Sequence, residues 1–335
     1  MGRHLTIHLG GALLAVVIAC AVPVLAGVSG HGWTLLALTF VLALPTALVA
    51  FSAKVLRWVR APVAFRIPLT VGQQRSLPSI KHDRTNNPHT AAQALARALI
   101  DIGLFRPLLR ATPSARRLGP ALDHGADRSL WLAAMLFHGS LVVILIRHLR
   151  LFMEPVPRLV AWLENADALS EVTLPRLHAS SVVFAIALLF LLGRRLWLAR
   201  LRYISLAADY FPVLLLLALA GTGLGMRHLF RTDLAAIKNA ATALAGGSLV
   251  LPGRPDAFLL AHLFLVAVLL AYFPLSKLMH MPGAWLSPTL TLANSTRERR
   301  HVNPNNPNVA VLHYADYENA FRAPMIEAGL PVEKD

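Results

Sequence analysis

Six long apolar stretches, separated by polar segments, form the main pattern of the chain. A helix of about 20 apolar residues is long enough to cross the hydrocarbon core of a bilayer. The pattern therefore predicts an all-α fold, a polytopic membrane helical bundle with six transmembrane helices. The predicted helices cover residues 5–28, 33–51, 129–146, 177–192, 210–226 and 257–276.

The first stretch follows a basic start, MGRH, which is also how a signal peptide begins. Its apolar run is longer than the apolar core of a signal peptide, which has about 7–15 residues. A second apolar stretch follows at once. We therefore predict that residues 1–53 form a retained N-terminal transmembrane hairpin.

The charges of the connecting segments alternate with the predicted crossings. Residues 54–128 carry 13 Lys or Arg against four Asp, whereas residues 154–176 carry four acidic residues against two Arg. Because Lys and Arg accumulate on the cytoplasmic side, we predict a basic cytoplasmic loop at 54–128, in which residues 91–104 have helical periodicity. Residues 284–335 are predicted to form a cytoplasmic tail that docks a partner subunit. Both termini are then cytoplasmic, and the predicted location is a bacterial inner membrane.

Composition excludes several classes of protein. With 56% hydrophobic residues and a mean hydropathy of +0.56, the chain is too apolar for an ordinary soluble domain. The formal net charge of +15 is explained by basic cytoplasmic segments, so we predict no nucleic-acid binding. The single cysteine, Cys20, excludes a disulfide framework and a cysteine-ligated iron–sulfur cluster within this chain. A redox cofactor therefore needs other ligands.

Four histidines lie on two of the predicted spans, His138 and His148 on the third and His262 and His280 on the sixth. Ionisable side chains inside a bilayer are costly and mark functional sites by default. Two neutral imidazoles are the axial ligands that haem b needs. Because the two spans run in opposite directions, we expect His148 to pair with His262 near the outer face and His138 with His280 near the inner face. The pattern predicts a four-helix di-haem cytochrome b domain at 129–283, with two haem b groups.

The spacing fits this prediction in part. At a rise of 1.5 Å per residue, His138 and His148 are separated by about 15 Å and His262 and His280 by about 27 Å. Eighteen residues also make five full helical turns, which places His262 and His280 on one face of a continuous helix. Helix tilt, the width of the haem and a kink at Pro274 are expected to absorb the difference.

Polar side chains near the ligands are candidates for further contacts. Arg147, Arg150 and Lys277 flank the histidines and are expected to pair with haem propionates, although ordinary charges at the membrane boundary are the competing interpretation. His178 and His228, near the outer boundary, are alternatives to His148 or His262 as ligands. The predicted quinone site is an outer cluster: Arg147, His148, Arg176 and His178.

The histidine spacing and the tail carry a family resemblance. Histidines ten apart on one span and eighteen apart on a later one resemble the gamma subunit of respiratory nitrate reductase, a di-haem b quinol dehydrogenase. The tail, with SKLMHMPGAWLSPTLTLANSTRERRHVNPNNP at 276–307 and then YENAFRAPMIEAGLPVEK, is similar to the DsrM family, the membrane cytochromes b of the complex associated with dissimilatory sulfite reductase. The extra N-terminal span and the long basic loop also suit the DsrM family better.

The resemblance implies electron transfer between the membrane quinone pool, menaquinone or ubiquinone, and a cytoplasmic iron–sulfur subunit like heterodisulfide reductase (DsrK), in dissimilatory sulfur metabolism. It also implies periplasmic cytochrome c and iron–sulfur subunits and a second membrane subunit, besides membrane lipid. A gamma-type quinol-oxidising subunit of a nitrate reductase or a related oxidoreductase is the competing interpretation. A haem-free membrane anchor or transporter, in which the histidines bind protons or hydrogen-bond between helices, is an alternative of another class.

Overall fold

The structure is a computed structural model that describes residues 2–63, 67–110, 114–116, 122–124, 127–169, 177–230, 232–245, 253, 255–287, 290–299, 302, 305 and 312–333. Within these ranges the α-helices are α1 Gly2–Val28, α2 Gly32–Val59, α3 Ala91–Gly103, α4 Arg106–Arg110, α5 Arg128–His148, α6 Arg158–Ala166, α7 Ala179–Trp197, α8 Ala199–Ile204, α9 Ala207–His228, α10 Leu234–Ala245, α11 Ala257–Tyr272, α12 His280–Trp285 and α13 Tyr314–Glu327. Two short antiparallel strands are β1 Ser114–Arg116 and β2 Leu122–His124.

Six of these helices are long and apolar enough to cross a membrane, namely α1, α2, α5, α7, α9 and α11. The predicted all-α polytopic bundle is therefore confirmed. The largest difference in helix ends is at α2, which continues to Val59 instead of ending at Phe51. Neither proline nor glycine occurs between Phe51 and Pro62, so nothing in the local sequence stops the helix.

The transmembrane helices pack around α9 and α11. α1 lies against both of them, α2 lies against α11, and α7 lies between α9 and α5. Val16 and Ala19 of α1 form one apolar cluster with Leu215 of α9 and Leu265 of α11. The two helices of the N-terminal segment therefore pack as part of the bundle. Within the described ranges, α5 and α11 do not pack closely on each other.

The sixth span is interrupted near the expected kink. α11 ends two residues before Pro274, which lies in a 3-10 turn, and Ser276 then has extended backbone with ψ of 179°. Proline donates no N–H to a helix, and the Lys54 ammonium donates to the carbonyl oxygens of Pro274 and Ser276 at 3.0 and 3.4 Å. The expectation that His262 and His280 share one face of a continuous helix is therefore wrong.

The two ends of the bundle differ in the segments that they carry. The loop end, where α2 ends and α5 begins, carries the described parts of residues 60–127 and 276–333, and the far end carries those of 149–178 and 229–256. At the loop end, α3 confirms the helix predicted at 91–104. The tail is joined to the 54–128 segment because Asn294 donates its backbone N–H to the Pro88 carbonyl at 2.6 Å and its side-chain amide to Asn87 Oδ1 at 2.9 Å.

Candidate functional site

The loop-end pair consists of His138 and His280, whose ring centroids lie 6.0 Å apart with the ring planes at 85°. His138 lies on α5, and its Nδ1–H donates to the carbonyl oxygen of Ala134 at 2.8 Å. His280 begins α12, and its Nδ1–H donates to the carbonyl oxygen of Lys277 at 3.1 Å. Because a carbonyl oxygen only accepts, Nδ1 carries the hydrogen in the neutral form of each ring and Nε2 carries the lone pair.

The separation of 6.0 Å fits two axial ligands of one haem iron. A metal–imidazole bond is about 2 Å long and the ring centre lies roughly 1 Å beyond the nitrogen, so two such rings across one iron have centroids about 6 Å apart. Ring planes that contain the same nitrogen–iron–nitrogen axis can take any angle, including a nearly perpendicular one. Because α11 ends before Pro274, the distance of about 27 Å for a continuous helix does not apply.

The far-end pair consists of His148, in the last turn of α5, and His262, in the second turn of α11. His148 donates its Nδ1–H to the carbonyl oxygen of Ile144 at 2.7 Å. His262 donates its Nδ1–H to Thr222 Oγ1 at 2.9 Å, since that hydroxyl gives its own hydrogen to the Ala218 carbonyl at 2.8 Å. The rings of His148 and His262 are close enough to interact electrostatically.

All four histidines present the same free atom. Nδ1 of each ring is held by a hydrogen bond, and no Nε2 has a hydrogen-bond partner among the described residues. Metal-binding histidines usually donate their second ring N–H to the protein, which fixes the tautomer and the ring orientation. The arrangement therefore offers two ring nitrogens at each end of the bundle. A flat group between α5 and α11 requires these helices to stay apart, as they do.

Comparison with known proteins identifies the family. No family model matches the chain. The chain is 38% identical over 261 residues to the Hdr-like menaquinol oxidoreductase cytochrome b-like subunit of Archaeoglobus fulgidus, in an alignment that covers 76% of this chain and 78% of the relative. The protein of the same name from Archaeoglobus profundus is 37% identical over 265 residues, which cover 76% and 77%. The chain belongs to this family.

Membership confirms the coarser part of the predicted resemblance. The chain is a multi-pass membrane protein and a cytochrome b-like subunit of the Hdr-like type. The finer resemblance to the DsrM family stays a prediction, as does the role of the four histidines as ligands.

The cations expected to bind haem propionates each have a carboxylate partner in this cytochrome b-like chain. A propionate at any of these positions therefore has to share the cation with a protein carboxylate, and Asp209 is itself shared with Arg195 at 4.0 Å. The pairs are Arg147 with Asp167 at 2.8 Å, Arg150 with Glu164, and Lys277 with Asp209 at 2.6 Å.

The residues predicted to bind quinone are partly assembled at the far end. The His178 side chain is 1% exposed, and its Nδ1 lies 3.7 Å from Asp167 Oδ2. Asp167 also accepts hydrogen bonds from Arg147 at 2.8 Å and from the Ser180 hydroxyl at 2.6 Å. Burial, followed by the positive charge of Arg147, lowers the pKa of His178 to about 4, so the ring is neutral at neutral pH. Arg176 lies outside the described residues.

Two contacts of the histidine pairs were not expected from the sequence. Phe105, between α3 and α4, has its ring centroid 4.7 Å from that of His138, and nothing distinguishes it from the other 13 Phe of the chain. Thr222, which holds His262, had a recognisable signal because it is the single hydroxyl-bearing Ser or Thr in the sequence of α9. The alternative ligand His228 lies in the last turn of α9, with Nε2 buried and without a hydrogen-bond partner in the described part of the chain.

Proposed function

We propose that this chain is a di-haem b membrane subunit that transfers electrons between menaquinol and a cytoplasmic iron–sulfur subunit resembling heterodisulfide reductase (DsrK). The observation that carries the proposal is the pairing of four imidazoles at two depths, each with a free Nε2. The name of the relatives, menaquinol oxidoreductase subunits, supports menaquinol as the redox partner. The proposed setting is dissimilatory sulfur metabolism in a bacterial inner membrane, with both termini in the cytoplasm.

In this proposal, His138 and His280 bind one haem at the loop end, and His148 and His262 bind a second at the far end. Bound haem b supplies a reversible one-electron acceptor. The hydrogen bonds to Nδ1 fix each imidazole in the tautomer that leaves Nε2 free to bind iron. The hydrogen bonds of the chain itself thus orient the proposed ligands.

The far-end cluster of Arg147, Asp167 and His178, completed by His148 and Arg176, is the proposed contact for quinol. Quinol oxidation releases protons together with electrons, so a proton acceptor is needed close to the haem. His178 is suited to this role because its ring is neutral and both its nitrogens are buried without a hydrogen-bond partner among the described residues.

The loop end is the proposed docking surface for the soluble subunit. α3 buries Arg97 and Asp101 and exposes Leu95 and Leu99, at 55% and 53%. An exposed apolar face on a short helix outside the membrane spans is typical of an interaction site. The basic charge of 54–128 and the joined tail extend this surface. Periplasmic cytochrome c and iron–sulfur subunits and a second membrane subunit are proposed from the DsrM-like resemblance alone.

A reduced-minus-oxidised spectrum with haem quantification tests the proposal on the purified chain. We expect two b haems per chain. His138→Ala or His280→Ala should each remove one haem, whereas His31→Ala, at an exposed histidine outside both pairs, should remove none. A chain without haem would overturn the proposal and favour the anchor or transporter. Copurification of an iron–sulfur subunit separates the proposed complex from a nitrate reductase.

A further inference from the structure

A buried ion cluster lies at the loop end, on α3 and at the start of α4. Asp101 accepts hydrogen bonds from Arg97 Nε at 3.2 Å and from Arg106 Nε at 2.6 Å. The side chains of Asp101 and Arg97 are each 2% exposed, and that of Arg106 is 20% exposed. Arg97 Nη1 and Arg106 Nη2 are buried and have no hydrogen-bond partner among the described residues.

This cluster contains more positive than negative charge. Arginine stays protonated in proteins, so among the described residues two guanidinium groups face one carboxylate. A buried charge without a partner is strongly destabilising, because it has lost its hydration. The two unpartnered N–H groups are also unsatisfied donors. The charge and the free donors of this cluster suit an anion with oxygen acceptors.

The cluster is adjacent to the loop-end histidine pair. Phe105, the residue before Arg106, packs on the ring of His138 and has a backbone φ of 49°. A positive φ is uncommon outside glycine, so other contacts must hold this turn. One of them is the indole N–H of Trp131 on α5, which donates to the Leu104 carbonyl at 2.8 Å. α5 and the ion cluster together hold the turn against His138.

We propose that Arg97 and Arg106 bind a carboxylate of the loop-end haem, one of its propionates. A propionate has the required charge and two acceptor oxygens, and guanidinium groups bind carboxylates through charge-assisted hydrogen bonds. The inference rests on the proposed haem at His138 and His280. It differs from the sequence-based expectation in the residues involved: Arg147 and Arg150 each face a carboxylate and Lys277 shares Asp209 with Arg195, whereas Arg97 and Arg106 share Asp101 and each keep a buried Nη atom without a partner among the described residues.

Potentiometric titration of both haems in the purified complex tests this proposal. A nearby positive charge favours the reduced haem, which holds one more electron. Arg106→Gln should therefore lower the midpoint potential of the loop-end haem and leave that of the far-end haem unchanged. Asp101→Asn removes a negative charge from the same cluster and should raise the loop-end potential. Arg106→Lys keeps the charge and should retain most of the wild-type potential.

Arg84→Gln is the matched control. Arg84 is exposed in the same segment, and its substitution removes the same charge. It should shift neither haem. The loop-end haem is identified by its absence from His138→Ala. If Arg106→Gln and Arg84→Gln behave alike with both haems bound, the propionate proposal is overturned and the di-haem function stands. Absence of haem from the wild-type chain overturns the function itself. If Arg106→Gln does not fold, the test rests on Asp101→Asn. A loop-end midpoint potential that does not rise in Asp101→Asn overturns the proposal.

Discussion

At the scale of single residues, each proposed ligand depends on the group that accepts its Nδ1–H. His138, His148 and His280 use backbone carbonyls, which a side-chain substitution does not remove. His262 is held instead by the hydroxyl of Thr222, besides a hydrogen bond to the backbone of Leu219. A polar side chain placed in an apolar helix therefore acts as the orienting partner of a ligand on the neighbouring helix.

Thr222→Val keeps the shape of the side chain and removes the acceptor for His262. The ring then keeps only its hydrogen bond to the Leu219 backbone and is oriented less firmly, so we expect the affinity for the far-end haem to fall, by up to about 10–100-fold. The loop-end haem should be unaffected. Haem retention in detergent, measured for each haem from the reduced spectrum, checks this. Thr222→Ser keeps the hydroxyl and should behave like wild type; equal haem loss in both variants would contradict the prediction.

His178 gives a prediction on pH. Its pKa of about 4 in the folded chain lies below the ordinary value of 6.5. As the pH falls below 6.5, the unfolded chain binds a proton that the folded chain binds only near pH 4, so stability is lost in this window. At 1.36 kcal/mol per pKa unit, the loss reaches about 3 kcal/mol. Above pH 6.5 the contribution is constant.

His178→Gln should remove this part of the pH dependence, because glutamine does not titrate. Thermal unfolding of both proteins in detergent, between about pH 7 and about pH 4.5, measures the difference. We expect wild type to lose more stability than the variant as the pH falls. Parallel curves for the two proteins would show that His178 is not held neutral in the fold.

At the scale of elements, the local sequence predicted the six transmembrane helices because length and apolarity suffice to define a span. It did not predict how the sixth span ends. Pro274 indicated a kink. The chain direction after it depends on Lys54, 220 residues away from Pro274 in sequence, which donates to the carbonyl oxygens of Pro274 and Ser276. The contact of Phe105 with His138 also depends on another element, α5. The histidine pairing was predicted from helix order and stays a prediction as a ligand set, whereas these supporting contacts required the packed structure.

The packing of α9 on α11 is tested at Gly225. A Cβ atom at Gly225 would lie 2.3 Å from the ring of Phe258, which is one turn before His262. Gly225→Leu should push the two helices apart, at a cost of about 1–3 kcal/mol, and weaken the far-end haem. Gly221→Leu is the matched control, since nothing lies within 4 Å of a Cβ there. Thermal unfolding and haem retention measure both variants. An equal loss of stability and of haem in both variants would contradict the close contact of Gly225 with Phe258.

At the scale of the whole molecule, the two histidine pairs occupy opposite ends of one bundle, and the polar segments are divided accordingly. The tail and the 54–128 segment meet through Asn294 and through His89, which contacts Glu298 at 3.1 Å. This contact was not predicted, because it joins loops far apart in sequence that lack periodicity. It places the proposed docking surface next to the loop-end pair. The far-end pair lies beside the proposed quinol site.

If both pairs hold haem as proposed, this arrangement predicts an order of reduction. If quinol reacts at the far end, a haem held by His148 and His262 would be reduced before one held by His138 and His280. In His280→Ala, which lacks the loop-end haem, a soluble quinol should still reduce the far-end haem. In His262→Ala, which lacks the far-end haem, the loop-end haem should stay oxidised with quinol and become reduced only with dithionite. Single-turnover absorbance of the two variants measures this. Rapid reduction of the loop-end haem by quinol in His262→Ala would place the quinol site at the other end of the bundle.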